Sequence, residues 1–163
     1  MKDPTEIDFC AKPKGKIIVA DDQALNLQIT KQILSEIGKI DTCSFLVNGQ
    51  EAIDKVQAEV RQAVAKRQIG EIPIIEPVVL MLLDLQMPIK TGFQVVVEVK
   101  KFYVEMQKKH PELTFIEPAF VFLTAFSSQA LRMHLKKMQI KHCLEKPVSK
   151  NLLLAVIDEY VPN

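Results

Sequence analysis

Cysteine, glycine, clustered charge and long apolar runs are all scarce in this sequence, and each scarcity excludes something. The three cysteines, Cys10, Cys43 and Cys143, are odd in number and widely spaced. They make neither a zinc pattern nor a disulfide framework, and read as small buried hydrophobes of a reducing compartment. The five glycines, Gly15, Gly38, Gly49, Gly70 and Gly92, form no glycine-rich phosphate loop. Lys plus Arg number 21 against 20 Asp plus Glu, a net charge of +1, and no basic run exceeds two residues. Backbone binding to nucleic acid needs clustered cations, so nucleic acid is not an expected partner. No apolar run exceeds six residues, the length of Val78 to Leu83, which is far too short to span a bilayer. The first residues carry Asp3, Glu6 and Asp8 without an apolar stretch, so no signal peptide is expected. A soluble, cytoplasmic protein is expected.

What is present suits one globular domain. The chain has 163 residues, 48% hydrophobic and 25% charged, against a prior of about one domain per 150 residues. Residues 1–15, broken by Pro4 and Pro13, read as an N-terminal tail, and 16–163 as the domain. Ile17 to Ala20 is a short apolar run ending in two acids, as expected of a strand buried on both faces. Helical spacing follows over Ala24–Ile37, closed by Gly38, with Asn26 inside the apolar arc and expected to tie the helix to a neighbouring strand or loop. Further strands are predicted at Thr42–Val47, Val78–Leu83, Ala119–Leu123 and Lys141–Leu144. Helices are predicted from Gln50 to about Arg67, from Gly92 to about Lys109, and over Gln129–Met138 and Lys150–Tyr160. Residues 68–77, with Gly70, Pro73 and Pro77, read as an extended connection. Strands alternating with helices predict a doubly wound α/β fold: a five-stranded parallel sheet in the flavodoxin-like order 2-1-3-4-5, helices on both faces.

Open parallel sheets bind ligands beyond the carboxyl ends of their strands. There the sequence places Asp21 and Asp22 after the first strand, Asp84 after the third, Thr124 after the fourth and Lys146 after the fifth. Taken singly, each has a plain explanation: either aspartate as a helix N-cap, Lys146 as a solvated lysine. Together they bring three carboxylates, a hydroxyl and an ammonium to one edge. Crowded carboxylates repel unless a cation intervenes, and few hard oxygen ligands with room for water suit Mg²⁺ better than zinc. With Lys146 opposite, such a site is arranged to receive phosphoryl oxygens.

Five segments carry a family resemblance: I-I-V-A-D-D-Q-A-L-N at 17–26, V-N-G-Q-E-A-I at 47–53, L-L-D-L-Q-M-P-I-K-T-G at 82–92, L-T-A at 123–125 and L-E-K-P at 144–147. In this order they resemble the receiver domain of two-component response regulators, most like those of hybrid histidine kinases. The resemblance implies that Asp84 is the phosphoacceptor. It implies Mg²⁺ held by Asp22 directly, Asp21 largely through water, Asp84, and the Gln86 backbone carbonyl. Thr124, the Ala125 backbone N–H and Lys146 would contact the phosphoryl group. The donor would be the phosphohistidine of a histidine kinase or histidine phosphotransfer protein. The chain would catalyse its own phosphorylation and slow dephosphorylation without being a turnover enzyme, and phosphate would bias two conformations of its last elements. The same resemblance implies a cis peptide between Lys146 and Pro147.

Three departures from the family pattern stand out. Cys143 occupies a position usually held by an aromatic switch residue, the 68–77 connection is long, and the helix after Gly92 is extended. Phe126, two residues after Thr124, is expected to shield the phosphoryl group, with a loop anchor as the alternative. Leu25, at the margin of the first helix's apolar arc, is expected to meet the phosphodonor unless it is a core leucine. The rival readings are a pseudo-receiver that only binds, and a Mg²⁺-dependent aspartyl-phosphate phosphatase, whose acid two residues after the nucleophile is replaced by Gln86. No output domain is expected after Tyr160, leaving a protein that acts alone or a piece of a larger kinase.

Overall fold

A computed structural model of the chain describes residues 15–161. The expected tail, apart from Gly15, and Cys10 therefore lie outside the described residues. Five parallel strands form the main sheet: β1 (Lys16–Ala20), β2 (Cys43–Leu46), β4 (Val78–Asp84), β6 (Ala119–Thr124) and β7 (His142–Glu145). Their order, β2-β1-β4-β6-β7, is the expected 2-1-3-4-5 arrangement. All seven residues of β4 are buried, as the middle strand of a sheet covered on both faces requires.

The strand period of two sorts side chains between two helical layers. Ile17, Val19, Leu80, Leu82, Val121 and Leu123 pack towards α1 (Ala24–Glu36) and α5 (Lys150–Tyr160). Ile18, Ala20, Met81, Leu83, Phe120 and Phe122 face the other layer. That layer is α2 (Gly49–Lys66), α3 (Gly92–Lys109) and α4 (Gln129–Lys137). Asn48 caps α2, its Oδ1 accepting from the Glu51 N–H at 2.8 Å, and Thr91 and Gln94 close a reciprocal capping box on α3.

Two features differ from the sequence expectation. The 68–77 connection holds a short strand, β3 (Ile74–Ile75), which pairs in parallel with β5 (Thr114–Phe115) as a separate two-stranded sheet. Both are two residues long, too short to show periodicity, and their pairing joins segments some forty residues apart. This small sheet lies beyond the far ends of α2 and α3, at the edge where the main strands begin. Asn26, in turn, does not reach another element: half-buried in the first turn of α1, it donates to Gln23 Oε1 at 2.9 Å, a partner available at the helix's own N-cap.

Candidate functional site

The carboxyl ends of β1, β4, β6 and β7 converge as the topology demands. Oxygens of Asp21, Asp22 and Asp84 lie within 4.8 Å of one another. Asp21 is 1% exposed and Asp84 5%, whereas Asp22 is open to solvent. Lys146 Nζ stands 3.1 Å from Asp21 Oδ2 and 3.1 Å from Asp84 Oδ1, so one ammonium bridges both buried acids. Two backbone amides complete the cradle: the Gln23 N–H donates to Asp21 Oδ1 at 2.9 Å, the Gln86 N–H to Asp84 Oδ1 at 3.3 Å. Lys146 follows β7 and is held there by its own N–H, which donates to the Thr124 carbonyl at 2.8 Å. The Lys146–Pro147 bond is cis, as expected. Gly92 lets α3 start against this strand end, because a side chain there would collide with the Asp84 carbonyl oxygen.

The charges do not balance. Burial raises the Asp84 pKa above its usual value; the Asp21 charge adds to the rise, while Lys146 and the Gln86 N–H counter it only in part. Burial also works against the Lys146 ammonium, but the hydrogen bonds and charges of Asp84 and Asp21 outweigh it, so its pKa is raised. Three carboxylates against one lysine leave an excess of negative charge in a pocket of hard oxygen donors. That composition fits a divalent cation such as Mg²⁺.

The remaining expected site residues fall around this centre in different states. Thr124 is buried, but its hydroxyl is turned onto its own loop, donating to the Phe126 carbonyl at 2.9 Å and accepting from the Phe126 N–H at 3.2 Å. Ala125 is exposed beside it. The Phe126 side chain is 75% exposed, which removes the loop-anchor alternative, and Leu25 is 67% exposed rather than a core leucine. Cys143, half-buried, pairs with Phe122 in register and lines an open groove of about 770 Å³ with Arg132, Leu135 and Leu152, between α4 and α5. Burial raises its thiol pKa, with Glu145 adding to the effect. Val47 and Ile89 are also exposed apolar residues at this same edge; both lie inside the 47–53 and 82–92 segments, where nothing in the residue pattern marks their exposure.

No protein-family model matches the sequence, and no curated protein is significantly similar to it. Solved structures are similar. The receiver domain of the Saccharomyces cerevisiae response regulator Ssk1, crystallised with the histidine phosphotransfer protein Ypd1, matches with a TM-score of 0.69 at 22% identity, over 91% of this chain and 90% of that one. The Vibrio cholerae chemotaxis protein CheY4 matches with a TM-score of 0.61 at 21% identity, over 90% and 98%. CheY from a Borrelia burgdorferi CheX–CheY–BeF₃–Mg complex gives 0.62 at 15% identity, over 91% and 90%. Among the described residues no helix is long and apolar enough to cross a membrane. The chain has the fold of the CheY-like response regulator receiver domains.

Proposed function

We propose that the protein is a phosphorelay receiver, of the kind attached to hybrid histidine kinases, which accepts a phosphoryl group on Asp84 in the cytoplasm. The observation that carries this is the pair of buried carboxylates bridged by one lysine, with a third carboxylate beside them, at the carboxyl edge of a receiver fold. Asp22, Asp21, Asp84 and the Gln86 carbonyl would hold Mg²⁺, which when bound offsets the charge of an incoming phosphoryl group.

The chain's own residues do the rest. An Asp84 oxygen attacks the phosphorus of a phosphohistidine on a histidine kinase or histidine phosphotransfer protein; the O–P bond forms as the N–P bond breaks, and the imidazole leaves with its electron pair and takes a proton. Lys146 passes from bridging two carboxylates to pairing with a phosphoryl oxygen. Thr124 turns its hydroxyl from the Phe126 carbonyl to another, and the Ala125 N–H serves a third. Release of that Thr124 bond frees the β6–α4 loop, which couples phosphate to the surface around α4, β7 and α5. Cys143 leaves a groove on that surface, and its small side chain modulates the coupling. Phe126 covers the approach of water, favouring a long-lived aspartyl phosphate.

Intact-mass measurement with Mg²⁺ and phosphoramidate tests this reading. The wild type gains one phosphoryl group; Asp84→Asn, and the wild type in chelator, gain none. Labelling that survives Asp84→Asn would contradict it, and steady hydrolysis of a phosphomonoester would favour the phosphatase reading instead.

A further inference from the structure

Ile89 adopts a φ of 70°. This is the left-handed region, where L-residues crowd their own carbonyl and a β-branched side chain is a genuine outlier. Glycine or asparagine would sit there without this penalty. The conformation persists because its surroundings over-determine it. The Gly92 N–H donates to the Leu85 carbonyl at 3.0 Å and the Lys90 N–H to the Pro88 carbonyl at 2.8 Å. Lys90 pairs with Glu98, and Gly49 packs so closely on the Lys90 carbonyl that a side chain there would collide. The strained residue does not fill the core. Ile89 is 70% exposed, so its side chain gains little from the folded monomer for the strain it imposes.

Its position explains what it can gain. Four of the five strand ends carry one exposed apolar side chain each: Val47 after β2, Leu25 after β1, Ile89 after β4 and Phe126 after β6. In sheet order they form a row along the edge that contains Asp84, whose carboxyl is almost wholly buried at the floor. A protein donor can bring a phosphohistidine to that floor only by seating on these loops. The occupant of the row is therefore the donor itself.

Resting on the phosphorelay reading, we propose that Ile89 is a specificity-determining anchor that docks in an apolar patch beside the phosphohistidine of the donor protein, and that backbone strain in the free receiver is retained for this contact. Phosphoryl transfer from a protein should depend on Ile89; transfer from a small molecule should not. Stability and protein-donor transfer should move in opposite directions when the residue is replaced by one suited to its backbone.

The test compares wild type, Ile89→Asn and Ile89→Leu, each with two donors: phosphoramidate, and the yeast phosphotransfer protein Ypd1 carrying phosphohistidine. Ile89→Asn should melt about 2–4 °C higher and react with phosphoramidate at the wild-type rate. Its transfer from Ypd1 should slow about tenfold, the loss expected for one aliphatic contact; Ile89→Leu should recover most of that rate. An unchanged Ypd1 rate in Ile89→Asn overturns the proposal, as does equal slowing with both donors, which would make the residue a support of the acidic pocket. A wild type labelled by phosphoramidate but not by Ypd1 also overturns it, while leaving Asp84 as acceptor. Labelling by neither donor overturns the phosphorelay reading itself.

Discussion

At the edge where the strands begin, buried Glu59 is gripped by two lysines, Lys16 at 2.6 Å and Lys55 at 2.8 Å. At the edge where they end, two buried carboxylates, Asp21 and Asp84, share the single Lys146, with a third, Asp22, beside them. Both places bury acids in one small domain, yet their energetics run in opposite directions. Burial alone would raise the Glu59 pKa, but the two lysines outweigh it and leave it below its usual value of 4.5. The pairing therefore contributes stability above about 4.5 that is lost as pH falls through the lower, folded-state value. Asp84 is the reverse. Its folded-state pKa is raised above 3.8, so its charge costs stability at neutral pH, a cost relieved as pH falls through the raised value. A matched acid holds β1 to α2; a mismatched one sits where the proposed function places a cation and a phosphoryl group.

The sharpest way to break this contrast is to remove the shared lysine. Lys146→Met should reduce phosphorylation by phosphoramidate about 100-fold, in line with loss of a charge-stabilising donor, and should raise the Asp84 pKa further, read by NMR titration of its carboxyl carbon. A smaller effect comes from adding the missing charge. Mg²⁺ at about 100 times its dissociation constant stabilises by about 2.7 kcal/mol, a rise in Tm of about 5–10 °C for a domain of this size. Asp84→Asn should melt higher than wild type without Mg²⁺ and lose most of the Mg²⁺-induced rise.

The opposite edge should respond with the opposite sign. Glu59→Gln should lower stability by about 1 kcal/mol, a discounted value because both lysines are partly exposed, and leave phosphorylation unchanged. Its deficit should shrink as pH falls below the carboxylate range, measured by urea unfolding between neutral and acid pH. The smallest effect is kinetic. Phe126→Glu should hasten loss of the phosphoryl group severalfold after the donor is removed, with folding and Mg²⁺ binding unchanged; equal decay would take Phe126 out of the mechanism.

The same two edges differ in how far the sequence discloses them. The acidic pocket is legible because its residues follow strands that announce themselves by apolar runs, and topology then brings Asp21, Asp84 and Lys146 together. The 17–26, 82–92 and 144–147 segments are short and widely separated, so the resemblance they carry rests on order and placement more than on extended identity. The opposite edge is opaque. Glu59 lies between Val56 and Val60 and reads as a surface acid until Lys16, forty-three residues earlier, is found against it. β3 and β5 are defined only by pairing with each other. At the site itself, what escaped was conformational: the Thr124 hydroxyl engaged with its own loop, and the left-handed Ile89, whose φ no residue pattern prescribes.

The central claim is that the mismatched edge exists to carry a phosphoryl group on Asp84. Borohydride reduction of the phosphorylated protein, followed by peptide mass mapping, reads that residue directly, because an acyl phosphate is reduced where a free carboxylate is not. The account predicts modification of Asp84 alone, dependent on both Mg²⁺ and phosphodonor. Modification of Asp21 or Asp22, or none in a protein that has gained the mass of a phosphoryl group, would contradict it.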